Sequence, residues 1–206
     1  MKKEFHNHFV KVRPIVKRRL KEFEKFLKHD DKKIFEEMTY CVFAANSSAE
    51  MAKTALKHLK PILWSGTLNE YQRAVHKKVR FYNVRSKYLY HNRNKIKELG
   101  GLKTHLKDKN PHERRAFIKD NFKGFGLKES SHFLRNIGYR GYCIIDKHVL
   151  NVMTDLNVLK NNNPPKNEKE YFEIERKIQK FAEKENYDID ELDLALWSFK
   201  TGKVMR

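Results

Sequence analysis

The sequence predicts an all-α protein, and two observations carry the prediction. Apolar residues recur at helical spacing along most of the chain, whereas the alternation typical of strands is hard to find. Residues that interrupt helices are also rare, with 8 glycines and 5 prolines among 206 residues. Hydrophobic residues make up 39%, which suffices for a packed core and excludes a chain disordered throughout. This length is typical of one ordinary domain, or of two small lobes that share a cleft.

Three helices are expected before residue 61, each with an apolar face at helical spacing. Pro14 suits the first turn of the first helix. Ser47 and Glu50 resemble a capping box that opens the third helix, and Pro61 ends it. The three faces are formed by Ile15, Leu20, Phe23 and Leu27; by Ile34, Phe35, Met38, Val42 and Phe43; and by Ala52, Ala55, Leu56 and Leu59.

The helices expected in the rest of the chain are delimited by capping residues, glycines and prolines. Thr67 and Glu70 repeat the capping-box signature. A long basic helix is expected from Phe81 to Leu99, and Gly100 with Gly101 ends it. Further helices are predicted over 111–121, 128–137, 168–186 and 190–199, a surface loop over 161–165, and a short tail over 200–206.

The charge of the chain restricts what it can bind. Its 45 Lys and Arg outnumber its 26 Asp and Glu, which gives a net charge of +19 and favours nucleic acid or an anionic membrane surface as a partner. The longest uncharged run, residues 38–49, is too short to span a bilayer, which takes about 18 apolar residues. Residues 1–12 lack the apolar core of a signal peptide, so secretion is not indicated.

The two cysteines, Cys41 and Cys143, are expected to be reduced thiols. Two cysteines cannot build a disulfide framework, and they cannot build a four-cysteine metal or iron–sulfur site. Reduced thiols are typical of a cytosolic protein.

Residues 121–138 carry a helix–hairpin–helix pattern, in which two helical segments are joined by Lys-Gly-Phe-Gly at 123–126. A turn with two glycines lets the backbone approach another surface closely. The N–H groups of the turn and of the next helix start suit a DNA phosphate. Ser130 is small at a position where two crossing helices would touch. Two packed helices with a glycine turn explain the same residues without DNA, and the charge of the chain is what favours DNA binding.

Lys128 falls in the first turn of the helix after the hairpin, where the helix dipole disfavours a cation by up to about 1 kcal/mol. A nucleophilic lysine benefits there, because an amine attacks only when it is neutral. Asp146 follows eighteen positions later, after an apolar run and at an expected helix start. Lys128 could otherwise be one of many surface lysines. Asp146 could be an N-cap, which is compatible with facing a cleft.

Several strings of the sequence resemble a known family of DNA repair enzymes. GFGLK, followed after eighteen residues by Asp-x-His, resembles the lysine-bearing branch of the helix–hairpin–helix DNA glycosylases. ESSHFLRNIGY, IIDKHVL, ELDLALW and KTGKV resemble the small 8-oxoguanine DNA glycosylase/AP lyases of archaea and some thermophilic bacteria. The resemblance extends from about Phe35 to the C-terminus. It implies one domain, 1–206, with a cleft between a lobe over 32–122 and a lobe of 1–31 plus 123–206.

The resemblance also implies a reaction. Lys128 would attack C1′ of the damaged nucleoside, expel the base, form a Schiff base and nick the strand by β-elimination. Asp146 would stabilise the positive charge that develops on the sugar and help the lysine lose its proton. Gly124 and Gly126 would hold the phosphates on the 3′ side of the lesion. His148 would contact a backbone phosphate, although it could instead be a plain helix-surface histidine.

Two further residues of the resemblance concern the duplex around the lesion. Asn46 would fill the space left by the flipped nucleotide and pair with the orphaned base, since an amide both donates and accepts. It could otherwise be a turn residue before the helix cap. The family usually continues this loop with Ala-Glu-Gly-Gly, whereas this chain has Ala-Glu-Met-Ala at 49–52. Arg85 would serve the DNA backbone or the cleft.

Three residues are assigned to the damaged base itself. Phe81 would stack on the flipped base, and Trp197 would close the other side. Core packing is the alternative for both aromatic residues. The terminal carboxylate of Arg206 would accept hydrogen bonds from guanine N1–H and N2–H₂, although family members tend to end in lysine.

The resemblance implies a monomer that acts on double-stranded DNA containing 8-oxoguanine, in a prokaryotic cytoplasm at the nucleoid. The reaction requires no metal and no cofactor, and no membrane or iron–sulfur cluster is expected. Two alternatives stay open: a glycosylase/AP lyase of other base specificity, and a non-catalytic helix–hairpin–helix module that binds DNA. Lys128 together with Asp146 argues against the second, because binding alone needs no lysine in that first turn.

DNA binding should weaken steeply with salt. If about 5 phosphates are neutralised, log K should fall against log salt with a slope of roughly −4 to −5, because each contact releases condensed counterions. A mobility-shift series over salt concentration measures the slope. A flat response would contradict the basic surface as a DNA-binding track.

Overall fold

The structure is a computed structural model and describes residues 1–204. Over this range the chain forms eleven α-helices and two short 3₁₀ segments and no strand, so the all-α prediction is confirmed. None of these helices combines the length and apolar composition that a membrane span requires. The α-helices are α1 (Lys2–Glu24), α2 (Asp31–Ala44), α3 (Ala49–Leu59), α4 (Leu68–Ala74), α5 (Tyr82–Glu98), α6 (Lys103–Leu106), α7 (Pro111–Asn121), α8 (Leu127–Asn136), α9 (Lys147–Asp155), α10 (Glu168–Lys184) and α11 (Ile189–Thr201). The 3₁₀ segments are Lys25–Lys28 and Lys60–Ile62.

Most of the predicted helix boundaries are confirmed to within two residues, namely those of α5, α7, α8, α10 and α11. The reason is local chemistry at their ends. Thr67 and Glu70 form the predicted reciprocal capping box at the start of α4. Gly100, with φ +67°, follows the end of α5 in the left-handed conformation that glycine adopts at little cost. The short helix α6 was not predicted.

The predicted start of the first helix at Pro14 is wrong, because α1 begins at Lys2. Phe5 and Phe9 extend the buried stripe towards the N-terminus, so packing continues the helix through the proline. Pro14 itself lies on the exposed side of α1. Two residues expected on the buried face, Ile15 and Leu27, are exposed.

The predicted cap of the third helix is displaced by one residue. Ser48, not Ser47, is the N-cap of α3, and its hydroxyl accepts the backbone N–H of Met51 at 3.1 Å. Ser47 has a glutamate three residues later, as a capping box requires, whereas Ser48 has Met51 there, so the sequence pattern favours the wrong serine.

The chain forms two compact units, residues 26–133 and residues 1–25 with 134–206. In the first unit α2 packs against α3 and α5, and α4 packs against α5. In the second unit α11 packs against both α1 and α9. The hairpin at 123–126 belongs to the first unit. The assignment of residues 1–206 to a single domain stays a prediction.

The core of the second unit contains an ion pair among apolar side chains. Arg135 on α8 pairs with Asp193 on α11, and their side chains are only 6% and 2% exposed. The guanidinium of Arg135 also lies 5.5 Å from the ring centre of Phe23 on α1. Burial raises the pKa of Asp193, and the charge of Arg135 opposes that rise.

Replacing Asp193 with Asn should destabilise the fold by about 3–5 kcal/mol, because it leaves the buried guanidinium of Arg135 without a counter-charge. Asp155 provides a matched control, since its pair with Lys200 is half-exposed. Asp155→Asn should cost less than about 1 kcal/mol. Urea unfolding of both variants measures the difference, and equal costs would contradict a structural role for the buried pair.

Candidate active site

The hairpin between α7 and α8 depends on the glycine at position 124. Gly124 has φ +83°, which side-chain-bearing residues rarely adopt. A Cβ at this position would also lie 2.9 Å from Cδ2 of Tyr88, too close for a real contact. The turn therefore passes directly over α5. Gly126 is exposed, with only a Glu129 carboxylate oxygen near its Cβ position.

A buried amide on α5 holds the hairpin in place. The side chain of Asn92 donates from Nδ2 to the carbonyl of Lys123 at 2.9 Å and accepts the N–H of Lys123 through Oδ1 at 2.8 Å. Phe125 packs edge-on against Phe133 on α8, with ring centres 5.7 Å apart. Both ends of the turn are therefore fixed to helices of the same unit.

Lys128 is the second residue of α8, as the sequence predicts for a lysine at a helix N-terminus. Its side chain is 36% exposed, and its Nζ lies 3.5 Å from Oε1 of Glu129. Ser130, two residues further along the helix, is fully buried. The helix thus directs a partly exposed amine outward at its positive end, directly after the hairpin.

Asp146 is the N-cap of α9, which confirms the expected helix start. Its Oδ1 accepts the backbone N–H groups of His148 at 2.8 Å and of Val149 at 2.9 Å. Asp146 is half-exposed. The carboxylate is therefore held rigidly through one oxygen, while the other oxygen makes no hydrogen bond within residues 1–204.

Two carboxylates of α11 hold the extended segment that precedes Asp146. Asp190 accepts the N–H of Gly141 at 2.9 Å, and Asp193 accepts the N–H of Ile144 at 2.7 Å. The segment runs without helix or strand, so its N–H groups have no regular partners. These two anchors were not predicted from the sequence, where the available signal was a pair of aspartates three residues apart within the apolar string of α11.

A mainly apolar pocket of about 300 Å³ lies in the unit formed by residues 26–133. Phe81 is 63% exposed at its edge, so the alternative of a core phenylalanine is wrong. Its φ of +56° places it in the left-handed region just before α5, and the guanidinium of Arg80 lies 5.6 Å from its ring centre. The pocket brings three of the predicted site residues together. It is lined by Val42, Ala45, Phe81, Val84, Arg85, Tyr88 and Gly124.

The loop between α2 and α3 carries Asn46, which is exposed and has φ +52°. Arg85 donates to the backbone at the end of α2 and at the start of this loop: Nη1 lies 2.6 Å from the carbonyl of Phe43, and Nη2 donates to the carbonyl of Ala45. Burial lowers the pKa of Arg85, and the neighbouring charge of Arg80 adds a smaller lowering. The guanidinium is therefore directed to the protein's own carbonyls.

Comparison with known proteins identifies the family of the chain. The family model for 8-oxoguanine DNA glycosylase matches residues 16–187. The chain belongs to this family. The 8-oxoguanine DNA glycosylase/AP lyase of Thermoplasma volcanium is 34% identical over 195 residues, which cover 93% of this chain and 92% of that protein.

Solved structures of family members have the same fold. The 8-oxoguanine DNA glycosylase of Thermotoga maritima has a TM-score of 0.87 and 32% identity, covering 99% of this chain and 97% of that one. The 8-oxoguanine glycosylase/lyase of Methanocaldococcus jannaschii, in complex with a 15mer DNA containing 8-oxoguanine, has a TM-score of 0.86 and 29% identity, covering 97% and 98%.

Membership of the 8-oxoguanine DNA glycosylase family confirms the resemblance found in the sequence. It also confirms that the chain is an enzyme of the glycosylase/AP lyase class, which removes the non-catalytic DNA-binding module as an alternative. The roles of the individual residues stay predictions.

The remaining predicted site residues lie near the end of the chain or next to Asp146. His148 and Trp197 are half-buried, and their rings meet edge-on with centres 5.9 Å apart. The contact joins α9 to α11 within one unit. Arg206 lies outside the described residues.

The pKa of Asp190 makes a pH dependence of stability testable. Burial raises it to about 6, against the lowering effect of its bonds to Gly141 and Tyr142. The native state therefore binds this proton more tightly than the unfolded state does. The stability that Asp190 contributes should fall as the pH rises from about 4 to about 6 and stay level above that.

Urea unfolding of the wild type and of Asp190→Asn across this range measures the effect. The difference in unfolding free energy between the two proteins should change with pH. A constant difference between wild type and Asp190→Asn would show that this carboxyl does not titrate there.

Proposed function

We propose that this protein removes 8-oxoguanine from double-stranded DNA and then cleaves the abasic strand, with Lys128 as the nucleophile. The observation that carries the assignment is the position of Lys128, in the first turn of α8 and directly after the glycine hairpin. The M. jannaschii relative, whose DNA contained 8-oxoguanine, supports this substrate. Base release and strand cleavage share one covalent intermediate, which suits a chain of the bifunctional class.

The chemistry follows from a neutral amine at that position. Nζ of Lys128 attacks C1′, the glycosidic bond breaks and the base leaves with its bonding electrons. Loss of a proton from nitrogen and opening of the sugar give a Schiff base, and β-elimination then breaks the C3′–O bond. Nζ of Lys128 lies 3.5 Å from Oε1 of Glu129, and an amine attacks only when it is neutral. The proton must therefore leave before attack.

Asp146 supplies the negative charge that the reaction requires. Its Oδ1 is committed to the N-terminus of α9, which fixes the carboxyl group without using Oδ2. A fixed carboxylate stabilises a developing oxocarbenium ion without having to reorganise at the moment of reaction. Capping and catalysis are thus compatible in one side chain.

The remaining assignments concern the DNA. The backbone at Gly124 and Gly126 would bind phosphates, and His148 would contact another. Asn46 would pair with the orphaned base. Phe81, exposed at the pocket edge, would contact the flipped base. Trp197 and the terminal carboxylate of Arg206 would complete the base contacts.

We also propose the oligomeric state and the cellular location of the enzyme. The enzyme would act as a monomer in a prokaryotic cytoplasm, at the nucleoid, without a metal, cofactor or iron–sulfur cluster.

Lys128→Gln should abolish both base release and strand cleavage while the protein still folds and binds damaged duplex, because the phosphate contacts lie on the hairpin. Lys107→Gln removes the same charge from an exposed position outside the first turn of a helix and should retain both activities. Borohydride reduction on an 8-oxoguanine duplex measures the Schiff base as a covalent protein–DNA adduct. The adduct forms only if the enzyme accepts this base, attacks with an amine and forms the imine. A trapped adduct of normal yield with Lys128→Gln would mean that another amine is the nucleophile.

A further inference from the structure

We propose that Arg85 is a positioning residue that sets how the enzyme reads the base opposite the lesion. It acts by holding the Asn46 loop, which comprises residues 45–48 between α2 and α3. The inference rests on the proposed role of Asn46 as the residue that pairs with the orphaned base.

The guanidinium of Arg85 is committed to this loop. Its side chain comes from α5, and the residue is only 6% exposed. Nη1 donates to the carbonyl of Phe43 at 2.6 Å and lies 3.4 Å from the hydroxyl of Ser47, and Nη2 donates to the carbonyl of Ala45. These acceptors surround Asn46 on both sides. One planar cation therefore holds the end of α2 and the loop that follows it.

The carbonyls that Arg85 binds explain why a cation is suited to this position. The last carbonyls of a helix have no partner within the helix and carry the negative end of its dipole. Phe43 lies in the last turn of α2, and Ala45 follows its end. A charged donor satisfies both carbonyls, so burial of the guanidinium is compensated.

Asn46 needs such a support because its backbone is strained. Its φ of +52° lies in the left-handed region, which asparagine tolerates better than other residues with a side chain but still at a cost that surrounding contacts must offset. The carbonyl of Ala45 belongs to the peptide plane that leads into Asn46. The hydrogen bond from Arg85 therefore orients the plane from which the exposed side chain of Asn46 projects.

The same residue also joins the loop to the pocket. Arg85 lines the pocket together with Ala45 and Phe81, and its backbone N–H donates to the carbonyl of Phe81 at 3.0 Å. It makes no contact with Lys128 in the described hydrogen bonds and ion pairs. A change at Arg85 should therefore alter the reading of the opposite base more than the rate of the chemical step.

The test is a set of single-turnover rates on duplexes with 8-oxoguanine opposite each of the four bases and opposite an abasic analogue. The quantity compared is a ratio of two single-turnover rates: the rate with the opposite base that gives the fastest excision, divided by the rate with the abasic analogue in that position. Asn46→Ala should lower this ratio towards one. Arg85→Lys should lower it by about five- to tenfold, the effect of one hydrogen bond, because a lysine cannot donate to two carbonyls through a planar fork.

Arg93 provides a matched control on the same helix. It is a second buried arginine, 4% exposed, and donates to the carbonyl of Gly66 and the hydroxyl of Tyr71 rather than to the Asn46 loop. Arg93→Lys should leave the ratio unchanged even where it lowers the melting temperature. The double variant of Asn46→Ala with Arg85→Lys should have the same ratio as Asn46→Ala alone.

The outcomes separate the inference from the proposed function. If Asn46→Ala lowers the ratio and Arg85→Lys does not, the inference is overturned and the role of Asn46 stands. If Asn46→Ala leaves the ratio unchanged, both are overturned. An equal fall with Arg93→Lys would show a general loss of structure and would also overturn the inference. Should Arg85→Lys not fold, Ser47→Ala replaces it, with an expected fall of about twofold, and an unchanged ratio would count against the inference.

Discussion

In the unit of residues 1–25 and 134–206, the buried carboxylate of Asp193 connects three segments of the chain through its ion pair and its hydrogen bond. It pairs with Arg135 on α8 and also accepts the N–H of Ile144 in the segment that leads to Asp146. Such a pair costs desolvation free energy, and a hydrophobic replacement can be as stable. The pair instead fixes the positions of the groups that Asp193 contacts, because a hydrogen bond in a core without water constrains direction as well as distance. The backbone before Asp146 is thereby tied to α11.

The other unit uses buried polar side chains from α5 in the same way. Arg85 holds the Asn46 loop, Asn92 holds the hairpin at Lys123, and Arg93 holds the backbone at Gly66. From the sequence α5 was described as a long basic helix, but part of its polarity faces inward. Loops held by a rigid helix can keep the strained or exposed conformations seen at Asn46, Phe81 and Gly124.

These anchors bear on the proposed chemistry. A glycosylase that expels a base through a lysine needs donors and charges that are already in position, because reorganisation during the reaction raises the barrier. The hairpin, the Asn46 loop and the Asp146 segment are all irregular backbone, and each is held by at least one side chain that is more than nine-tenths buried. The backbone positions of these irregular segments are therefore set by buried side chains of helices, from α5 for the hairpin and the Asn46 loop and from α11 for the Asp146 segment.

The amino-acid sequence alone predicts the helical class, the boundaries of α7 and the capping box at Thr67, because these depend on signals a few residues apart. It also identified Lys128 at a helix start and Asp146 as a cap. The continuation of α1 through Pro14 and the exposure of Phe81 emerge only in the folded chain, since both depend on what packs against these residues. The anchoring hydrogen bonds join residues about 30 to 50 positions apart in the sequence. They are made by the side chains of Arg85, Asn92, Asp190 and Asp193. No local pattern encodes such a partner, because an arginine or aspartate has the same local preferences whether its partner is water or a distant carbonyl.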